Sequence, residues 1–175
     1  MRDLCSIPQA DPLAFFLTWT AYGSWLPGDD RGWVDGRGRA HGPEPLQYAL
    51  ALRRMAEEAV SFDRPQRVAV EEAIAAHCRV RGWHLHAVEC RSQHVHVVVT
   101  AVGRAPGDVM KQFKSWATRA LKAIARSRGL SYRIRWWTEG GSLRRIFYEG
   151  DLASVVAYVT ECQGVPTQQA PSAGR

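Results

Sequence analysis

The sequence predicts an α+β fold, an antiparallel sheet with helices packed on it, close to the βαββαβ ferredoxin-like pattern. Residues 83–90 (WHLHAVEC) and 93–100 (QHVHVVVT) both alternate and are separated by one tight turn, the mark of a β-hairpin. Residues 12–22 (PLAFFLTWTAY) form a third apolar, aromatic and β-branched run ahead of them. Segments of helical period lie between and after these runs, so the order reads strand, helices, hairpin, helix, strands, helix. Nothing repeats, and 175 residues are expected to make one domain, with a core over about 12–164 and a polar tail over 165–175.

The first eleven residues show no pattern. The strand at 12–22 stops at Gly23 and gives way to a loop over 23–42, dense in glycine and charge. Long ordered loops in small domains tend to carry function. Trp25 and Trp33 within it serve either as anchors to the body or as stacking surfaces. Helical spacing then appears over 45–60, through Leu46, Leu52, Met55 and Val60, and again over 64–79, through Val68, Val70, Ala73, Ile74 and His77. Asp63 ahead of Pro65 is the expected N-cap of the second helix, and Gly82 closes it.

After the hairpin and a turn at 103–107, residues 108–128 form a long amphipathic helix. Val109, Phe113, Trp116, Ala117, Ala120, Leu121 and Ile124 make its apolar stripe, and Gly129 is its natural stop. Short strand-like pieces at 134–138 and 142–148 flank the turn Glu139-Gly140-Gly141. A final helix runs over 151–163, with Asp151 as N-cap and Leu152, Val155, Val156 and Val159 as its inward stripe.

The candidate chemistry starts in the run 93–100. Alternation sends His94, His96 and Val98 to one face and Val95, Val97 and Val99 to the other. Two imidazoles thus stand about 6.6 Å apart along a rigid strand, and neutral imidazole is the commonest transition-metal ligand. His84-Leu85-His86 has the same form, and spacing alone leaves both pairs open.

Net charge is +6, but between Arg104 and Arg145 eleven Lys and Arg face only Asp108 and Glu139. Interleaved with Trp116, Tyr132, Trp136, Trp137 and Phe147, that half reads as a polyanion-binding surface. Cys5, Cys78, Cys90 and Cys162 form no Cys-x-x-Cys pair, so neither a zinc knuckle nor a disulfide framework is expected. No run has the length of a membrane span and no leader pattern opens the chain, so a cytoplasmic protein is expected.

His94-Val95-His96, the helix carrying Phe113-Lys114-Ser115, Trp137-Thr138 and the segment Ala157-Tyr158-Val159-Thr160-Glu161-Cys162-Gln163-Gly164 occur together and in this order. In that arrangement the chain resembles the single-tyrosine transposases of the HUH endonuclease superfamily, above all the insertion-sequence and repeat-associated tyrosine transposases. The resemblance covers about 15–164 and includes the Gly-Ser-Trp-Leu-Pro-Gly-Asp loop. It implies an HUH endonuclease-like domain that cleaves and rejoins single-stranded DNA through a 5′-phosphotyrosine, with Tyr158 as nucleophile. It further implies a Mg²⁺ or Mn²⁺ ion held by His94 and His96 rather than by His84 and His86. Hairpin DNA is the implied substrate, no membrane is involved, and a homodimer is expected.

The family's third ligand is a Gln or Asn one turn after the tyrosine, where this chain has Cys162. Gln163 is the first expectation, reaching the ion if the helix end unwinds before Gly164. Glu161, at i+3 from Tyr158 with a hard oxygen donor, is the other. Lys111, Lys114 and Arg119 are expected to track the DNA backbone, with Arg133, Arg135, Arg144 and Arg145 as a second strip and Trp136 as a stacking surface. Two rivals differ in chemistry. A non-catalytic single-stranded DNA or RNA hairpin-binding module needs neither the histidines nor the tyrosine. A hydrolytic phosphoesterase would gather several carboxylates.

Overall fold

In chain order the computed structural model, which describes residues 11–131 and 133–161, runs β1 (Ala14–Thr20), β2 (Trp33–Val34), β3 (Ala40–His41), α1 (Pro45–Arg53), α2 (Arg64–Arg81), β4 (His84–Cys90), β5 (His94–Thr100), α3 (Pro106–Ser127), β6 (Ser142–Ile146) and α4 (Glu149–Glu161). The four long strands form one antiparallel sheet in the order β4-β5-β1-β6, while β2 and β3 make a separate two-stranded ribbon. With α2 between β1 and β4 and α3 between β5 and β6, this is the split βαββαβ arrangement. The fold class expected from the sequence is the one observed.

β1 and β5 lie in the interior of the sheet because their residues are apolar or small on both sides. Phe15, Leu17 and Trp19 of β1 and Val95, Val97 and Val99 of β5 face α2 and α3, joining Val70, Ile74, Phe113, Ala117 and Leu121 in the larger core. Burial of each such aliphatic side chain contributes about 1.5–3 kcal/mol. The opposite face carries a smaller core of Ala14, Ala87, Val98, Ile146, Val155 and Val159, covered by α4. The domain therefore has three layers, with α4 alone on the face that holds His94 and His96.

Several boundaries differ from the sequence reading, each for a physical reason. The predicted helix at 45–60 stops at Arg53, and Leu46, Leu50 and Leu52 are exposed. Past Met55 the chain is drawn along the end of the sheet, where Ala56 N donates to Tyr22 Oη, Val60 N to Tyr22 O and Phe62 N to Ser92 O. Residues 134–138 pair with the sheet only through the isolated bridge Ala21–Trp137. α4 begins two residues before the expected Asp151 cap, with Leu152 N bonded to Tyr148 O, so Asp151 acts within the first turn, where a carboxylate still favours the helix N-terminus.

The expected Asp63 cap is present in full. Its carboxylate accepts from Gln66 N, the Gln66 side chain accepts from Asp63 N, and Arg128, the C-cap of α3, pairs with it. Asp63→Ala should lower stability by about 1 kcal/mol, measured as a shifted urea midpoint at unchanged slope.

Candidate active site

The candidate site is built where three elements meet on the α4 face. β5 supplies His94 and His96, held at fixed spacing by the pairs Thr18–His96 and Thr20–His94 with β1. Their ring centroids are 4.7 Å apart at 74°. Exposure grades along the strand: Val98 is fully buried, His96 is 7% exposed and His94 is half-buried, so the site opens toward the hairpin end.

α4 brings Tyr158 to the same place. Its ring lies 5.9 Å from the His96 ring and 6.3 Å from Phe16, centroid to centroid, and Phe16 stacks on His96 at 5.7 Å. Val155 and Val159 are buried against the sheet, which fixes the helix rotation and leaves Tyr158 at the border of its apolar stripe. The competing tyrosine, Tyr148, is 74% exposed just ahead of α4 instead of packing on the sheet rim.

His96 is oriented from behind. The Thr18 hydroxyl lies 2.9 Å from its Nδ1, which commits that nitrogen and leaves Nε2 as the ring nitrogen available to an ion. Burial, then the neighbouring His94 and Arg91, pushes the His96 pKa down to about 3, and burial likewise lowers His94. Both imidazoles are therefore neutral near pH 7, the state a cation requires. Thr18→Val keeps the shape and removes the hydroxyl. It should weaken Mn²⁺ binding about 10–100-fold, the usual effect of losing such an orienting partner, read by titrating the ion against a fluorescent chelator.

Sequence reasoning missed Glu89. It stands directly opposite His96 on β4 and hence on the same face. Its Oε1 pairs with Arg91 Nε at 3.1 Å, while its Oε2 is buried without a hydrogen-bond partner among the described residues. Orphaned buried oxygens are costly and rare. Strict alternation would have put Glu89 on the other face from His84 and His86, but a register shift between Leu85 and Ala87 reverses the parity of the strand.

His94, His96 and the oxygen of Glu89 suit a hard or borderline divalent ion. No group of three His, Cys, Asp or Glu is already gathered for one among the described residues. Glu161 is exposed at the end of α4, and Gln163 lies outside the described residues.

The second histidine pair is at the other end of the hairpin. His84 sits opposite Thr100, four residues along β5 from His96, or about 13 Å by the strand rise. Its ring is 4.5 Å from that of His86, whose Nε2 is bonded to the Thr100 hydroxyl.

The basic residues divide between the two faces of the sheet. Arg144 stands opposite Phe16 on β6, on the side of His96 and Tyr158, whereas Arg145 stands opposite Phe15 on the side of α3. Lys111 and Arg119 are carried by α3, on the face away from Tyr158. Lys111 is exposed beside Asp108, and the Arg119 guanidinium lies over Trp116 at 5.7 Å.

Others serve the fold. Lys114 donates to Thr138 O at 2.9 Å and Gly140 O at 2.6 Å, and burial pushes its pKa down to about 8. Arg133 binds Glu58 O and Glu57, and Arg135 lies over the Tyr22 ring. Trp136 is 6% exposed within the larger core, so its ring is not a surface on which a base can stack. No helix among the described residues is long and apolar enough to cross a membrane.

No family model matches the sequence, and no curated protein matches it. Solved structures similar to the chain include two transposases. A REP-associated tyrosine transposase bound to a REP hairpin is 12% identical, with 91% of this chain and 70% of that one covered at a TM-score of 0.45. A putative transposase from Deinococcus radiodurans is 14% identical, with 91% and 95% covered at a TM-score of 0.44.

Proposed function

We propose that the protein is a transposase-like enzyme that nicks and rejoins single-stranded or hairpin DNA through a phosphotyrosine link at Tyr158, with Mg²⁺ or Mn²⁺ at His94 and His96. The observation that carries this reading is the convergence of Tyr158, from the last described helix, on the His96 ring from an interior strand. The ring it meets is a neutral imidazole oriented by the Thr18 hydroxyl, with the second imidazole of the pair beside it.

In this reading His94 and His96 would hold the ion, with Glu89 as an oxygen donor from the facing strand and Gln163, or else Glu161, as the expected third ligand. The bound ion would polarise and orient the scissile phosphate. Thr18 keeps the His96 ring in register. Tyr158 Oη forms the bond to phosphorus while the 3′ oxygen departs with its electron pair, and the proton lost by the phenol is matched by the one the leaving oxygen takes up. Because the phosphodiester is exchanged rather than hydrolysed, a second 3′-hydroxyl can reverse the step. A homodimer, with α4 acting in its own subunit or across the interface, belongs to the same proposal.

Arg144 is the basic residue best set to meet the DNA backbone beside the nucleophile. Arg144→Glu should weaken single-stranded DNA binding about tenfold and reduce its salt slope by about one, while Arg145→Glu, on the other face, should do less. Fluorescence anisotropy at several salt concentrations measures both. The decisive experiment is a denaturing gel of the protein incubated with labelled hairpin DNA and Mn²⁺. A covalent adduct supports the proposal. Tight binding without an adduct across varied targets favours the binding module, and free 5′-phosphate ends without an adduct favour the hydrolase.

A further inference from the structure

We propose that the cleft between the 25–36 loop and the 138–142 turn binds one unpaired nucleobase of the strand whose phosphate lies at His94 and His96. The inference rests on the reading above and names the part of the substrate this cleft would select. The cleft has a volume of about 660 Å³, within the range of small-ligand sites. Its floor is Thr18 and Thr20, the cross-strand partners of His96 and His94. It therefore opens one strand spacing, about 4.8 Å, from the imidazole pair.

The walls are rigid, and one of them is aromatic. Trp25 lines the cleft and is 48% exposed although its Nε1 is fixed to Gly32 O at 2.7 Å. Trp33 beside it is stacked on His41 at 4.4 Å. The loop is braced by Asp35, whose carboxylate takes Arg39, His41 and the Arg37 and Arg39 amides.

Across the cleft the 138–140 backbone is pinned from the far side of the sheet by the Lys114 ammonium. Gly141, at φ 149, leaves no room for a Cβ, which would lie 2.6 Å from Thr18 O. An exposed indole facing a fixed polar turn, beside a phosphate site, is the arrangement that stacks a single base.

The turn also supplies a reading group. Glu139 lines the cleft and its carboxylate makes no hydrogen bond with the described residues, whereas the other carboxylate of the lining, Asp35, is fully engaged. A carboxylate accepts from the exocyclic amino groups of cytosine, adenine and guanine. Thymine has no amino group and sets two carbonyls beside its one N–H.

The test measures affinity, without divalent ions, of the full chain carrying Tyr158→Phe for oligo(dC), oligo(dA) and oligo(dT) of about 20 nucleotides. The background protein should bind oligo(dC) and oligo(dA) at least fivefold more tightly than oligo(dT). Glu139→Ala, which removes the acceptor, should abolish that preference. Trp25→Ala should weaken all three about 5- to 150-fold, the equivalent of losing one stacked base, with the salt slope unchanged, which separates stacking from phosphate contact.

Equal affinity for the three oligonucleotides in the background protein overturns the base reading. So does a Trp25→Ala effect below twofold. An adduct in the wild type with no effect of Trp25→Ala removes the cleft proposal and leaves the cleavage reading standing. Base-selective binding with no adduct does the reverse.

Discussion

Tyr158→Phe should abolish the covalent protein–DNA adduct and lower strand cleavage by roughly 10⁴-fold or more, the scale at which the loss of a covalent nucleophile is felt. The substitution removes one oxygen and keeps the ring, so the contacts with Phe16 and His96 and the seat of α4 on Val155 and Val159 persist. Melting temperature, Mn²⁺ affinity and DNA affinity should stay near wild type. Tyr148→Phe is the matched control: that ring is 74% exposed and stands before α4 begins, so its loss should change nothing. An adduct retained in Tyr158→Phe and lost in Tyr148→Phe would mean that the nucleophile is misassigned.

His96→Gln should weaken Mn²⁺ binding by at least about 100-fold, more than Thr18→Val, because it removes a ligand and not the group that orients one. Cleavage should fall with ion occupancy while DNA binding remains. The same substitution has a signature in acid. The folded His96 pKa is pushed from 6.5 down to about 3, chiefly by burial. Between those values the unfolded chain takes up a proton that the folded chain refuses. Stability is thus fully present above about pH 6.5 and declines as pH falls toward 3. In His96→Gln this part of the decline should vanish, measured by urea melts at about pH 7 and about pH 4.5. Equal acid sensitivity in both proteins would show that His96 does not resist protonation in the fold.

The strands of the hairpin, the capping of α2 by Asp63 and the amphipathic stripes of α2, α3 and α4 were legible because each depends on local chemistry and period. The histidine pair was legible for the same reason, since residues two apart on a strand must share a face. The long loop at 23–42 was recognisable as a loop, but its ribbon Trp33–Val34 with Ala40–His41 was not, because two-residue strands leave no periodic trace. Trp136 shows the converse: a residue in a basic, aromatic stretch reads as a surface feature, yet its backbone carbonyl accepts from Tyr22 N beyond the end of β1 and its ring is drawn into the core.

By itself the sequence determined the elements, the two histidine pairs and the helix that carries Tyr158, because propensity and spacing act between neighbours. Only the tertiary structure decided which side of the sheet each element covers. α4 could have joined α2 and α3; instead it lies alone on the histidine face, because Val98, Ala87, Ala14 and Ile146 form an apolar patch there that its valines bury. The same level of organisation set Glu89 beside His96. One extra residue at the β4 bulge reverses every side chain after it, and with a side-chain period of two such a shift is set by pairing with the neighbouring strand and not by the strand's own alternation.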